Sequence, residues 1–304
     1  MKKMDNLLDL LLTSLPWVVT FKTSGVTTSL LLPPLVAFVI SFLCASGGIS
    51  GAFLLLPFQV SVLRFTTPAV SATNHLFNVF AIPFGVYRYW KEKRFFYPLT
   101  LIIAVGTLPG VIIGYFLRIG YFQELVRFKL LVGAVLLVIS LKLLYDIIFP
   151  PKKDASFSPE PPKLLQFNWK TLAFIYDHKT YQVSSLAISL VAFFIGIIGG
   201  IYGIGGGALM APILLGFFHL PPYVFAGATL LGTCLTSVVG ILIFTFGGNP
   251  PDWVLGALLG LGGAAGLYLG AKAQKRMPQK FIRVIITALV LFISLRYLYS
   301  YFMR

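Results

Sequence analysis

Within one apolar stretch, Ser71-Ala-Thr-Asn74-His75-Leu-Phe-Asn78 gathers five polar side chains in eight positions. Asn74 and Asn78 are four residues apart, so on a helix they share a face with Ser71. Neutral amide and hydroxyl donors of this kind can hold the oxygens of an oxyanion without a fixed charge. A second set, Thr229 and Thr233 with Thr236 or Ser237, recurs far along the chain in a comparable setting. The same residue types also bridge helices by hydrogen bonds, and that reading stays open. His75 fits a ligand, a proton carrier, or a group that simply bonds a neighbour.

Two glycine clusters accompany these sets. The first is Gly47-Gly48-Ile-Ser50-Gly51, and the second is Gly203-Ile-Gly205-Gly206-Gly207; each leads into an apolar run and a proline, Pro57 and Pro212. A nucleotide-binding loop is excluded, because no strand precedes the glycines and no phosphate-binding lysine follows. Helices that begin just after such breaks, near Ser50 and Gly206, point free N–H groups and the positive end of the helix dipole at whatever lies ahead. An anion is what such an arrangement stabilises. The candidate binding set is therefore Gly47, Gly48, Ser50, Gly51, Ser71, Asn74, His75, Asn78, Gly203, Gly205, Gly206, Gly207, Thr229 and Thr233. Glycines serving only close helix contact are the competing explanation.

What is missing also directs the reading. All nine acidic residues fall at segment ends or in loops, so no embedded carboxylate is available for proton relay. Cys44 and Cys234 lie singly inside apolar segments, without spacing for a disulfide framework or a metal. No catalytic constellation, metal or cofactor is implied, and the chain does not read as an enzyme. Lys142 and Arg296 take matching places in the last apolar segment of each half, within reach of the interface, where snorkelling accounts for them; Arg64 and His219 close the second segments in the same way, and guarding an anion entrance is the alternative.

The elements that must position these groups are set by composition. The chain of 304 residues is 58% hydrophobic and only 11% charged, with a mean hydropathy of +0.89. A soluble domain carries about a quarter charged residues, so this is a polytopic membrane protein lying in the bilayer. The net charge of +15 sits at segment ends and reads as cytoplasmic-loop charge, not a nucleic-acid surface.

The chain also says one thing twice. Leu35-Val-Ala-Phe-Val-Ile returns as Leu190-Val-Ala-Phe-Phe-Ile, and the same offset carries the first glycine cluster onto the second and Gly85 onto Gly240. Each copy divides into five apolar segments. The third of them, from about Ala69 to Tyr89 and from about 223 to 247, is long enough to span. The second, of about fourteen residues, is too short and folds back in a hairpin with the first. Gly106, Gly110 and Gly114, and likewise Gly262, Gly266 and Gly270, are spaced by four for close helix packing.

Charge relates the copies. Arg88 to Arg94 is strongly basic, while the matching loop at 247–252 has no cation; after the fourth segment the balance reverses, with Lys272, Lys275, Arg276, Lys280 and Arg283. Equivalent loops thus face opposite sides, as in an inverted-topology pair. The expected fold is an all-α polytopic membrane protein of two inverted-topology repeats, each of about five helical segments, with half-length helices at the glycine-rich motifs. The expected divisions are 1–28, an interfacial helix or short extra span; 29–149, repeat 1; 150–182, a small cytoplasmic linker with a β-hairpin; and 183–304, repeat 2.

By these motifs the chain resembles the sulfite exporter TauE/SafE family of bacterial membrane permeases. The resemblance rests on Gly199 to Gly207 with Pro212, on Gly47 to Gly51 with Pro57, and on Ser71 to Asn78 followed by Ile82-Pro, Lys93-Arg94 and Gly106-Thr-Leu-Pro-Gly110. It implies export of an organosulfonate or sulfur oxyanion such as sulfite or sulfoacetate across the bacterial inner membrane, by alternating access. Ser50 and Ala52 depart from the fuller glycine pattern in the first copy. Anion uptake, and a non-transporting membrane assembly or thiol-relay protein, are the alternatives. A sodium or proton coupling ion and the oligomeric state are left open.

Overall fold

The computed structural model describes residues 16–46, 51–91, 95–149, 161–273 and 279–303. The first copy holds α1 (Leu32–Ser46), α2 (Ala52–Ser61), α3 (Ala69–Ala81), α4 (Pro83–Lys91), α5 (Tyr97–Gly120) and α6 (Leu125–Ile148). The second holds α7 (Ser185–Tyr202), α8 (Gly206–Gly216), α9 (Pro222–Phe246), α10 (Trp253–Ala273) and α11 (Gln279–Phe302). Five short strands complete the chain: β1 (Val18–Thr20), β2 (Thr27–Ser29), β3 (Lys163–Phe167), β4 (Leu172–Tyr176) and β5 (Lys179–Val183). This is an all-α polytopic membrane architecture with small sheets at its ends.

Six helices among the described residues are long and apolar enough to cross a membrane, lying in α5, α6, α7, α9, α10 and α11. The half-length α2 and α8 follow the two glycine clusters. One segment differs from its expected form: the stretch from Ala69 to Tyr89 is not one span but is divided into α3 and α4. Pro83 has no N–H to donate and its ring crowds the preceding turn, so Gly85 and Val86 restart the ladder on Ile82 O at 2.9 and 3.0 Å. In the second copy Val238 stands where Pro83 would, and α9 runs unbroken for 25 residues.

The two copies pack by exchange. A Cβ on Gly106 would lie 2.6 Å from the carbonyl oxygen of Ser189, and Gly110 and Gly114 meet Phe193 and Ile197 in the same way. That order makes α5 and α7 parallel neighbours. Gly262, Gly266 and Gly270 of α10 meet the backbone at Pro34, Phe38 and Phe42 of α1, again in parallel. So the fourth segment of each copy seats the first segment of the other, and any side chain on these glycine faces would force the backbones apart. The last segments also pair across copies: Ser294 Oγ donates to Gly133 O at 2.8 Å.

The linker forms a three-stranded antiparallel sheet, β3-β4-β5, one strand more than the expected hairpin. Asp177 and His178, both at positive φ, make the two-residue turn between β4 and β5, a geometry that suits the strand twist. Phe174 packs on Phe96 with centroids 4.9 Å apart, and Tyr176 stacks on Tyr223 at 5.2 Å. The sheet therefore covers the starts of α5 and α9.

A smaller hairpin, β1-β2, closes the opposite end. Ser24 donates from both its backbone N and Oγ to Asp252 Oδ2 at 3.0 and 2.8 Å, while Asp252 Oδ1 accepts from Leu255 N at 3.1 Å and caps α10. The helix or span expected within residues 1–28 falls largely on residues outside the described set; the described part from 16 onward is this hairpin.

Candidate functional site

The second glycine cluster is a true break between α7 and α8. Gly203 is left-handed at φ +79°, and its N–H bonds Gly199 O at 2.8 Å to end α7; Gly205 follows at φ +72°. Space enforces glycine as firmly as conformation does. A Cβ at Gly203 would strike the Ser71 carbonyl, one at Gly205 would come within 2.6 Å of Thr233 Cγ2, and one at Gly207 would overlap Thr229 O. Gly206 packs on Thr107, halfway along the 24-residue α5. The break thus sits at mid-depth in the bundle, where irregular backbone is tolerated only when protein buries it or a cavity receives it.

The asparagines of α3 meet this break directly. Asn74 Nδ2 donates to Gly203 O at 3.1 Å and to Ala52 O at 3.2 Å, and Asn78 Nδ2 donates to Gly203 O at 3.4 Å and to Ser237 Oγ at 3.1 Å. Both partners of Asn74 and one of Asn78 are backbone carbonyls, so a flip of either amide would set oxygen against oxygen. Gln59 Nε2 of α2 then donates to Asn74 Oδ1 at 3.2 Å. All of these side chains are fully buried. The cluster joins α2, α3, the α7–α8 break and α9.

On the other side, Gly206 N, the first amide of α8, donates to Thr236 Oγ1 at 3.2 Å. Thr229 and Thr233 turn their hydroxyls back to Ala226 O and Thr229 O at 3.1 and 2.9 Å, so they shape the seat of the glycines through backbone and methyl groups. His75 lies against Gly240 and Phe244, and its Nδ1 approaches Ser237 Oγ at 3.3 Å. Ser71 Oγ donates to Ile201 O at 2.8 Å, two residues before the break. The copies correspond here as well: Asn74 bonds Ala52 in the first, and the matching Thr229 abuts Gly207 in the second.

Of the first cluster, Gly47, Gly48 and Ser50 lie outside the described residues. Gly51 stands at the start of α2, where a Cβ would approach Ser41 at 3.2 Å.

In this conformation the asparagine donors are taken up by backbone carbonyls and by Ser237 Oγ. The buried side-chain atoms of the cluster left without partners are Gln59 Oε1, Asn78 Oδ1 and His75 Nε2. Each unsatisfied buried polar group costs about 1–3 kcal/mol. Sequence reasoning missed Gln59, and it named Thr236 or Ser237 only as alternatives beside Thr229 and Thr233. Gln59 was visible as a lone polar residue two positions after Pro57 in an apolar run.

Arg118 was also missed. It lies one turn beyond Gly114 in the series 106, 110, 114, the face that meets α7, and it is fully buried. Its Nε donates to Ser71 Oγ at 3.2 Å.

Comparison with known proteins agrees with this architecture. The chain is similar to a probable membrane transporter protein, YunE, of Bacillus subtilis (strain 168), 25% identical over 260 residues that cover 83% of this chain and 91% of that protein. A second protein of the same bacterium, the probable membrane transporter protein YjnA, is 23% identical over 82% of this chain and 92% of its own length. A third, YdhB, is 33% identical over 109 residues. No solved structure matches significantly. The family model described as sulfite exporter TauE/SafE matches residues 34–297, from the start of α1 to the last turns of α11, and the chain belongs to that family of membrane transporters.

Proposed function

We propose that this protein carries an organosulfonate or sulfur oxyanion outward across the bacterial inner membrane, by alternating access around the mid-depth cluster of Asn74, Asn78, Gly203 and Gly206. The observation that carries this reading is the shared acceptor: both asparagines donate to the one carbonyl that ends α7. An oxyanion that takes those donors must release Gly203 O, and with it the tether between α3 and the α7–α8 hinge. Binding and hinge motion are thereby the same event. The amide end of α8 then faces the anion with favourable dipole sign.

Two further features support the membrane arrangement within this proposal. Equivalent segments run in opposite directions: α9 starts beneath the linker sheet, whereas α3 starts beside Arg118, where α5 ends. The lysine-bearing sheet of the linker and the start of α5, at Phe96, share one end of the bundle, which we assign to the cytoplasm. Anion exit needs no embedded acid, since a negative interior of 100 mV favours it by about 2.3 kcal/mol per charge.

The test is flux from oriented vesicles containing the purified protein and loaded with sulfite, sulfoacetate, isethionate, taurine or sulfate. A negative interior should accelerate efflux of at least one sulfur anion. Failure of all of them to move, in a preparation that is folded and inserted, would refute the substrate class. Uptake against that potential would reverse the direction and leave the class intact.

A further inference from the structure

We propose that Arg118 is the fixed positive charge of the anion pathway, a second binding position beside the central cluster; this rests on the reading of the protein as an anion carrier. The guanidinium is fully buried and has no acidic partner among the described residues. Its contacts are neutral: Ser71 Oγ, Phe122 O, Thr67 O at 3.5 Å, and the Phe128 ring, whose centroid lies 3.8 Å from Cζ. Glu124 is exposed and directed to Arg127 instead, at 3.1 Å. A buried charge normally carries a counter-charge or adjusts its environment to find one.

Capping of α5 accounts for only part of this. The bond to Phe122 O holds the chain two residues past the end of the helix, and a cation near that end suits the dipole. An exposed arginine would serve equally well in that role. Full burial and the chain of contacts to the hinge are left over: Arg118 holds Ser71, and Ser71 holds Ile201 O, two residues from Gly203. Above the guanidinium lies the turn of Thr66 and Thr67, both exposed, so the charge sits one layer beneath the surface at the end opposite the linker sheet.

A charged oxygen bonds a guanidinium about twice as strongly as a neutral one, and a two-pronged oxyanion matches its fork. An arriving oxyanion would displace Ser71 Oγ and Thr67 O, and so loosen the same strand of contacts that the asparagines hold deeper in. The charge is confined to one copy: the residue four beyond Gly270, as Arg118 is four beyond Gly114, is Gln274.

The experiment compares wild type, R118Q and R118K by anion-dependent thermal stabilisation in detergent, with sulfoacetate, isethionate, sulfate, phosphate and chloride as probes. In R118Q the half-saturating concentration of the binding anion should rise about 30-fold or more. R118K should bind at neutral pH and lose binding as the pH is raised toward about 10.4, the ordinary lysine range, because an ammonium can lose its proton where a guanidinium does not. Wild type should show no such loss.

If R118Q binds within about threefold of wild type and R118K gains no pH dependence, Arg118 is a structural cap and the inference falls, while the transporter reading stands. Should R118Q fail to fold, the alkaline profile of R118K decides alone. Wild-type stabilisation by chloride or phosphate but by no sulfur anion, lost in R118Q, would keep Arg118 and remove the substrate class. No stabilisation of wild type by any probe would remove both.

Discussion

Asn74 Nδ2 donates to the carbonyl oxygen of Gly203 at 3.1 Å, across 129 positions of sequence and from one copy of the repeat to the other. The break between α7 and α8 is thus bridged by a side chain of the first copy, in addition to the bond of Gly203 N to Gly199 O. Ser71 adds the bond to Ile201 O, and Tyr202 OH donates to Phe53 O at 2.7 Å, so three residues around the break are held by the opposite half. Movement of one copy against the other must pass through these bonds.

Substituting Asn74 should therefore cost more than substituting Asn78. Asn74→Ala removes two donations to carbonyls and strands Gln59 Nε2, while Asn78→Ala removes one long bond and one to a hydroxyl that His75 can still satisfy. We expect a loss of about 2–3 kcal/mol for the first and about 1 kcal/mol for the second, from the ordinary worth of buried hydrogen bonds. Denaturant titration in mixed micelles would check the order, and a larger loss for Asn78→Ala would contradict it. Both variants should lose oxyanion-dependent stabilisation.

Two glycines of one helix should answer oppositely to alanine. Gly207 abuts Thr229 O and Thr233 Oγ1, so Gly207→Ala must displace α9 from α8. Gly216, at the end of the same helix, has nothing within 4 Å of a Cβ. Gly216→Ala should be neutral or gain up to about 1 kcal/mol from helix propensity. Gly207→Ala should insert in the membrane yet fail in transport, as measured by expression level and vesicle flux side by side.

Asp252 offers a separable structural test, because its carboxylate ties the β1-β2 hairpin to the start of α10, while its link to α3 is a backbone bond, N to Thr73 Oγ1 at 2.9 Å, that a side-chain substitution keeps. Asp252→Ala removes both acceptances from Ser24 and the bond from Leu255 N. The expected loss is about 1–3 kcal/mol, in the range for buried bonds to charged acceptors. Proteolysis within residues 16–29 should accelerate, while oxyanion half-saturation stays where it was.

Much of this was legible in the sequence where the signal was local and periodic. The four-residue spacing of Gly106, Gly110 and Gly114 named a packing face, and the structure seats α7 on it. The glycine cluster at 203–207 named the break, since two left-handed positions can be written in few other ways. What sequence could not supply was the partner of each polar group. Arg118 stands at the close of an apolar segment in the sequence, where nothing marks its burial beneath the Thr67 carbonyl. Pro83 was in plain view, yet an unbroken span was expected over it, because the apolar pattern continues through the kink. The linker gave up two strands by alternation, whereas β3, exposed along its length and bulged between Leu164 and Gln166, carries little such pattern.

Opposite ends of the bundle should be labelled from opposite sides of the membrane. The linker sheet lies on Phe96 and Tyr223, at the starts of α5 and α9, and α9 then runs 25 residues to the end where Asp252 binds Ser24. At about 1.5 Å per residue that helix exceeds the 30 Å apolar thickness of a bilayer, so the sheet and the β1-β2 hairpin cannot share a face. In a background with Cys44 and Cys234 replaced, Trp169→Cys on the sheet and Lys22→Cys on the hairpin are both exposed. An impermeant maleimide applied to intact cells should modify the cysteine at 22 and spare that at 169, and inverted vesicles should show the reverse. Labelling of both from one side would break the assignment of the copies to opposite orientations, and with it the route by which an anion released at Gly203 leaves past Arg118.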